Sequence, residues 1–213
     1  MIIGLIGMSG VGKSTWAARF AAAGFTRYDC DALIARRLHA ITGRPDATVD
    51  QLGSWMGLPY EPGYREREAA YLAAEHAVVH TILAELAATP AGHNIVIDMS
   101  GSVIYIEPDL LAELRRQATI AYLVAAPHRY AELLAAYART PRPLVWHGQY
   151  QPLAGEPPAL ALGRCYTNLI ASRIEHYRAL CHVAIDDALH SAPECSVADL
   201  LNMIRQTTQQ TVS

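Results

Sequence analysis

At 213 residues, with 52% hydrophobic and 17% charged side chains, the chain has enough apolar material for one packed domain and too much for a disordered one. A net charge of −3 offers no basic footprint for nucleic acid, and no apolar run approaches the roughly 20 residues of a membrane span. The expectation is a soluble, cytoplasmic chain without a leader, in which Cys30, Cys165, Cys181 and Cys195, none at a Cys-x-x-Cys or zinc-like spacing, are free thiols.

In chain order, the apolar run Ile2 to Ile6 ends at Gly7 and reads as a buried strand. Lys13 to Ala23 has helix-forming composition and stops at Gly24. Phe25 to Tyr28 reads as a second strand, followed by Asp29-Cys30-Asp31, where Asp31 is placed to cap a helix through Leu38. Glycine and proline then recur from 42 to 63, which predicts an irregular stretch around one short helix, Val49 to Met56. Tyr64 to Ala88 is the longest helical segment and Asn94 to Asp98 the clearest buried strand. A helix over Pro108 to Gln117, a strand over Thr119 to Ala125 and a helix over Pro127 to Ala138 follow. The proline-rich stretch 139 to 162, which contains Trp146, His147 and Tyr150, has no periodicity and predicts a long loop, with Trp146 and His147 as its surface or as contacts to a substrate. Leu162 to Leu180 is helical, His182 to Asp186 is a last strand, and Ser196 to Gln206 a last helix with Ser196 and Asp199 at its start. Strands alternating with helices imply a parallel sheet covered on both faces.

Chemistry concentrates first in Gly7-Met8-Ser9-Gly10-Val11-Gly12-Lys13-Ser14-Thr15. Triphosphate oxygens need several donors converging in a small space. Glycines let the backbone curl so that its N–H groups, those of Ser9 and Val11 among them, point inward, and the helix start adds partial positive charge. Lys13 then serves as a point charge at the outer phosphates and Ser14 as a magnesium ligand. The pattern predicts a nucleoside triphosphate site with ATP and Mg2+ as cofactors. No Asn-Lys-x-Asp guanine signature occurs in the chain. Asp98, at the end of a buried strand, is a second candidate magnesium ligand.

Four further segments, taken in order, resemble the shikimate kinase family: Asp29-Cys30-Asp31 after the second strand; Tyr64-Arg65-Glu66-Arg67-Glu68, similar to its Phe-Arg-x-x-Glu; Arg142-Pro143-Leu144, similar to the Arg-Pro-Leu of its lid; and Arg173 with Tyr177 four residues later. The resemblance implies that Asp29 holds magnesium, that Asp31 binds the acceptor hydroxyl and serves as its base, and that Arg65 and Arg173 grip a substrate carboxylate. It also implies that Arg139 and Arg142 approach the phosphates when a lid closes. The family's triple glycine is here Met99-Ser100-Gly101-Ser102, in which only Gly101 remains to line the acceptor side. The expected architecture is a single three-layer α/β/α domain over 1–213, with a five-stranded parallel sheet in order 2-3-1-4-5. A substrate-binding insert is expected at about 31–70 and a lid at about 139–162. The expected activity is transfer of the ATP γ-phosphoryl group to a small hydroxyl acceptor by a monomer or homodimer, without nucleic acid or membrane. Other hydroxy acids, sugar acids or nucleosides are alternative acceptors, and a nucleotide-binding regulator without transfer chemistry is the alternative class.

Overall fold

The computed structural model describes residues 1–38, 43, 48–140 and 142–210, the last four of these by backbone alone. Parts of the irregular 42–63 stretch (42 and 44–47), Pro141 and the extreme tail therefore lie outside the described residues. Five strands form one sheet in the order β2-β3-β1-β4-β5: β1 (Ile2–Ile6), β2 (Thr26–Asp29), β3 (Ile95–Asp98), β4 (Thr119–Leu123) and β5 (Val183–Ile185). Every pairing is parallel, so each connection has to cross over the sheet. The central strands β1, β3 and β4 are buried almost throughout, which is why they read as unbroken apolar runs. The edge strands β2 and β5 carry the exposed positions, Thr26 and Ala184.

The helices are α1 (Lys13–Ala22), α2 (Cys30–Arg37), α3 (Val49–Met56), α4 (Tyr64–Ala88), α5 (Pro108–Gln117), α6 (Tyr130–Arg139), α7 (Pro158–Leu180), α8 (Asp187–His190) and α9 (Val197–Gln210). Single 3-10 turns at Val103–Tyr105 and Pro127–Arg129 lead into α5 and α6. α1 and α9 pack together on one face of the sheet, and α4, α5 and α7 form the other layer. None of the described helices is long and apolar enough to cross a membrane.

Local chemistry explains the boundaries. Thr48 and Gln51 form a reciprocal capping box that starts α3. Ser196 and Asp199 do the same for α9, the Ser196 N–H donating to Asp199 at 2.9 Å and the Asp199 N–H to Ser196 at 3.2 Å. Three boundaries depart from the sequence reading. The cap of α2 is Asp29, whose carboxylate accepts the Ala32 N–H at 3.0 Å, rather than Asp31, which lies inside the first turn. α7 begins at Pro158, because a proline in the first helical turn lacks only an N–H that would have no partner there. The short α8 after β5 was not expected.

Candidate active site

β1 delivers the chain to Gly7 at the C-terminal edge of the sheet, between β3 and β4. A Cβ on Gly7 would lie 2.6 Å from the Leu123 carbonyl, and its φ of 144° is open only to glycine. Gly12, at φ 108°, turns the loop into α1 without a side-chain cap, so the first N–H groups of α1 remain available to an anion. Lys13 is 7% exposed and rests on its own loop, donating to the Gly7 carbonyl at 3.0 Å and the Met8 carbonyl at 3.1 Å. Burial pushes its ammonium below the usual lysine range, while the charges of Asp98 and Asp31 pull it back up. Ser14 is exposed at the start of the same helix.

Beside Ser9 and Gly10 opens a cavity of about 350 Å³, lined also by Arg139, Arg142 and Tyr166. Both arginines are exposed and line the same cavity as Ser9 and Gly10.

Asp31 lies close enough to Lys13 for each charge to act on the other. It accepts a hydrogen bond from the Tyr71 hydroxyl at 2.9 Å. Burial raises its carboxyl above the usual range, against the pull of Lys13 and Tyr71. Tyr71 belongs to a stripe of α4, Tyr64, Glu68, Tyr71 and Glu75, spaced at three or four residues and so on one face. Glu75 is fully buried and accepts from the hydroxyls of Ser100 and of Ser102, the latter at 2.7 Å. Desolvation pushes the Glu75 carboxyl up to about 8, even though Ser102 and the charge of Arg173 favour its ionised form. Ser100 and Ser102, on either side of Gly101, thus share a specific buried partner.

Arg173, on α7, is 1% exposed. It donates to the Gly101 carbonyl at 3.0 Å and to the Val145 carbonyl at 2.6 Å, while its Nε has no hydrogen-bond partner. Tyr177 donates to the same Gly101 carbonyl at 2.5 Å. Gly101 runs against the phosphate loop, where a Cβ would lie 3.4 Å from the Gly7 carbonyl. Arg65, by contrast, is exposed on the first turn of α4 and is not brought beside Arg173 by any contact among the described residues. Its neighbour Arg67 is the pinned one, donating to the carbonyls of Met56 and Pro62 at 2.9 and 3.0 Å.

The 142–157 loop is tied to the same α4 stripe. The Tyr64 hydroxyl donates to the Leu144 carbonyl at 2.6 Å, and Glu68 accepts the N–H groups of Trp146 and His147 at 2.5 and 3.0 Å. Trp146 is neither loop surface nor a substrate contact in this conformation. It is buried among Tyr137, Tyr150 and Tyr166, and its indole N–H donates to Tyr137 at 3.2 Å. His147 is exposed and stacks on Tyr105 at 4.2 Å between ring centroids.

Asp29 and Asp98 are register partners on adjacent strands, and one nitrogen of Arg27 donates to both, at 2.8 and 2.7 Å. Among the described residues no trio of His, Cys, Asp and Glu converges on a point where a metal would sit. The donors that are present, the Ser14 hydroxyl and these carboxylates, fit a magnesium ion whose remaining ligands are phosphate and water oxygens.

Neither a protein-family model nor a curated protein sequence matches this chain. Solved structures do match. The shikimate kinase of Aquifex aeolicus superposes with a TM-score of 0.61 at 18% identity, over 98% of this chain and 98% of its own. That of Acinetobacter baumannii, solved with shikimate, gives 0.58 at 21% identity, over 99% and 92%. That of Bacteroides thetaiotaomicron gives 0.57 at 17%, over 99% and 96%. The chain therefore has the P-loop kinase fold. Its particular form is the one seen in the shikimate kinases, matched from end to end.

Proposed function

We propose that this chain transfers the γ-phosphoryl group of ATP to a hydroxyl of a small acceptor. The observation that carries the reading is that Asp31 and Lys13, the first residue of the uncapped helix α1, lie close enough for each charge to act on the other. A phosphate anchor and a carboxylate base thus share one electrostatic neighbourhood. Phosphoryl transfer asks a protein mainly to position two oxygens in line and to neutralise spreading negative charge. The N–H groups of Ser9, Gly10, Val11, Gly12 and Thr15, with Lys13, hold the phosphates. Arg139 and Arg142 close over them with the 139–162 segment acting as a lid. Asp31 takes the proton of the acceptor hydroxyl, and Tyr71 holds that carboxylate in place. Magnesium, when bound, neutralises charge between the outer phosphates, with Ser14 and the Asp98 side as the protein's contribution.

The acceptor enters between the 31–70 segment and Gly101. Hydroxy acids of the shikimate type are the first class to test, with Arg173 as the carboxylate contact and Arg65 as a second one that has to swing inward. Sugar acids and nucleosides come next. Glu75, Ser100 and Ser102 are buried and bonded to one another in a cluster on this side. That same cluster favours a second reading, a nucleotide-binding regulator whose acceptor side is packed shut.

The test is release of ADP from magnesium ATP against a panel of hydroxy acids, sugar acids and nucleosides. Acceptor-dependent turnover with one class is expected. ATP binding without turnover on any of them would transfer the assignment to the regulator.

A further inference from the structure

Asp29 and Asp98 are register partners on adjacent parallel strands, about 4.8 Å apart at their backbones, so two carboxylates share one small space and together attract a cation. Asp98 is 5% exposed and Asp29 about one third exposed, so water alone cannot screen the pair. In phosphate-loop proteins a divalent ion is the usual answer. Here β2 supplies another. Arg27 lies two residues before Asp29, hence on the same face of the strand, and places a single nitrogen 2.8 Å from Asp29 Oδ2 and 2.7 Å from Asp98 Oδ2. A guanidinium is permanently charged, so no pH change removes it. Its hold is incomplete, however, because Arg27 Nε is buried without a partner, and a buried donor left unpaired is costly. The carboxylates, and no fuller hydrogen-bond set, keep the side chain there.

We propose that Arg27 is the resident counter-cation of the Asp29–Asp98 pair: it excludes a free divalent metal from these carboxylates and yields only to a metal that arrives on nucleotide phosphates. Arg27 thereby makes metal binding conditional on nucleotide, and it acts as a positioning residue through Asp98 rather than by touching the reacting atoms. Strand β2 is thus a metal-discriminating element as well as a sheet edge. The inference rests on the nucleotide-binding reading only for the route by which the metal arrives. Exclusion of the free metal stands on the carboxylate geometry alone.

The experiment is a titration of the full-length protein with Mn2+ in the absence of nucleotide, reading free Mn2+ by electron paramagnetic resonance. Wild type is expected to bind no Mn2+ tighter than millimolar. Arg27→Gln, which keeps a polar side chain of shorter reach and removes the charge, is expected to bind one Mn2+ at least tenfold tighter. Arg27→Lys, which keeps the charge, should stay near wild type. Adding Asp98→Asn to Arg27→Gln should abolish the gain. A thermal melt gives a second readout, in which MgCl2 alone raises the Tm of Arg27→Gln and leaves wild type unmoved. Unchanged or weaker Mn2+ binding by Arg27→Gln overturns the proposal, and so does a gain that survives Asp98→Asn. Micromolar binding of one Mn2+ by wild type overturns it without any variant, should Arg27→Gln not fold. ATP affinity, measured separately on wild type, decides the functional reading and leaves this one untouched.

Discussion

Glu75 has no water to share its charge with, and its pKa of about 8 against an ordinary 4.5 makes it a stability term with a definite sign. Between those two values the unfolded chain has released a proton that the folded chain keeps. Folding then takes up a proton, and stability falls as pH rises, by up to about 1.4 kcal/mol per unit. Glutamine can still accept from Ser100 and Ser102 and carries no charge. Glu75→Gln is therefore expected to flatten the loss between pH 5.5 and 7.5 by about 2 kcal/mol, read as the difference between the two proteins in the slope of unfolding free energy against pH, with each free energy taken from urea unfolding. Equal slopes would remove Glu75 as the cause. Lys13→Ala is the complementary test at the phosphates. Losing a preorganised charge at the transferring group is expected to cost about 10²–10³ in kcat, and full activity in that variant would end the phosphate-anchor argument. These residues differ in how visible they were. Lys13 sits in a motif whose spacing alone declares its chemistry. Arg27 and Glu75 carry no motif, because a charge on a strand or helix reads as solvated until the fold shows what lies opposite. Arg27 was legible only as a position two before Asp29, and Glu75 only as the continuation of the stripe through Tyr64, Glu68 and Tyr71.

At the scale of elements, periodicity and caps did most of the work. Val49–Met56 and Tyr64–Ala88 fall where apolar spacing and the glycines at 57 and 63 place them. The strands agree within one or two residues because three of them are buried on both sides. What escaped was tertiary. The prolines at 157 and 158 read as loop although one of them starts a helix, and the 142–157 loop gave no hint that Trp146 would be its buried anchor. That anchoring is testable. Glu68 holds the loop through two N–H groups, and a charge-assisted hydrogen bond contributes about 1.5–3 kcal/mol. Glu68→Ala is expected to release the loop, seen as new cleavage between residues 142 and 157 in limited proteolysis. A KM raised by roughly tenfold or more should accompany it if the loop is the lid, since about 1.4 kcal/mol suffices for that factor. Unchanged cleavage would show that Trp146 packing, with the Tyr64 and Arg173 hydrogen bonds to Leu144 and Val145, holds the segment without Glu68.

For the whole molecule, the sheet order and the position of the phosphate loop were readable because parallel crossovers leave few topologies. The acceptor was not, because α4, α7, the Ser100–Ser102 turn and the 142–157 loop, which meet around Gly101, come from segments far apart in sequence. The nucleotide half therefore supports a prediction for the protein as a unit. A ligand that binds only the folded chain stabilises it by about 2.7 kcal/mol at a hundred times its Kd. For a chain of this length each kcal/mol moves Tm by roughly 2–4 °C, so magnesium ATP at that excess is expected to raise Tm by roughly 5–10 °C. Lys13→Ala should lose most of the shift, because the phosphates then lose their only buried cation on the loop among the described residues. Arg173→Ala should keep it, since Arg173 reaches Gly101 and Val145 rather than the first turn of α1. A wild-type melt indifferent to magnesium ATP would mean that the loop, whatever its pattern, does not bind the triphosphate, and both readings of the site would fall together.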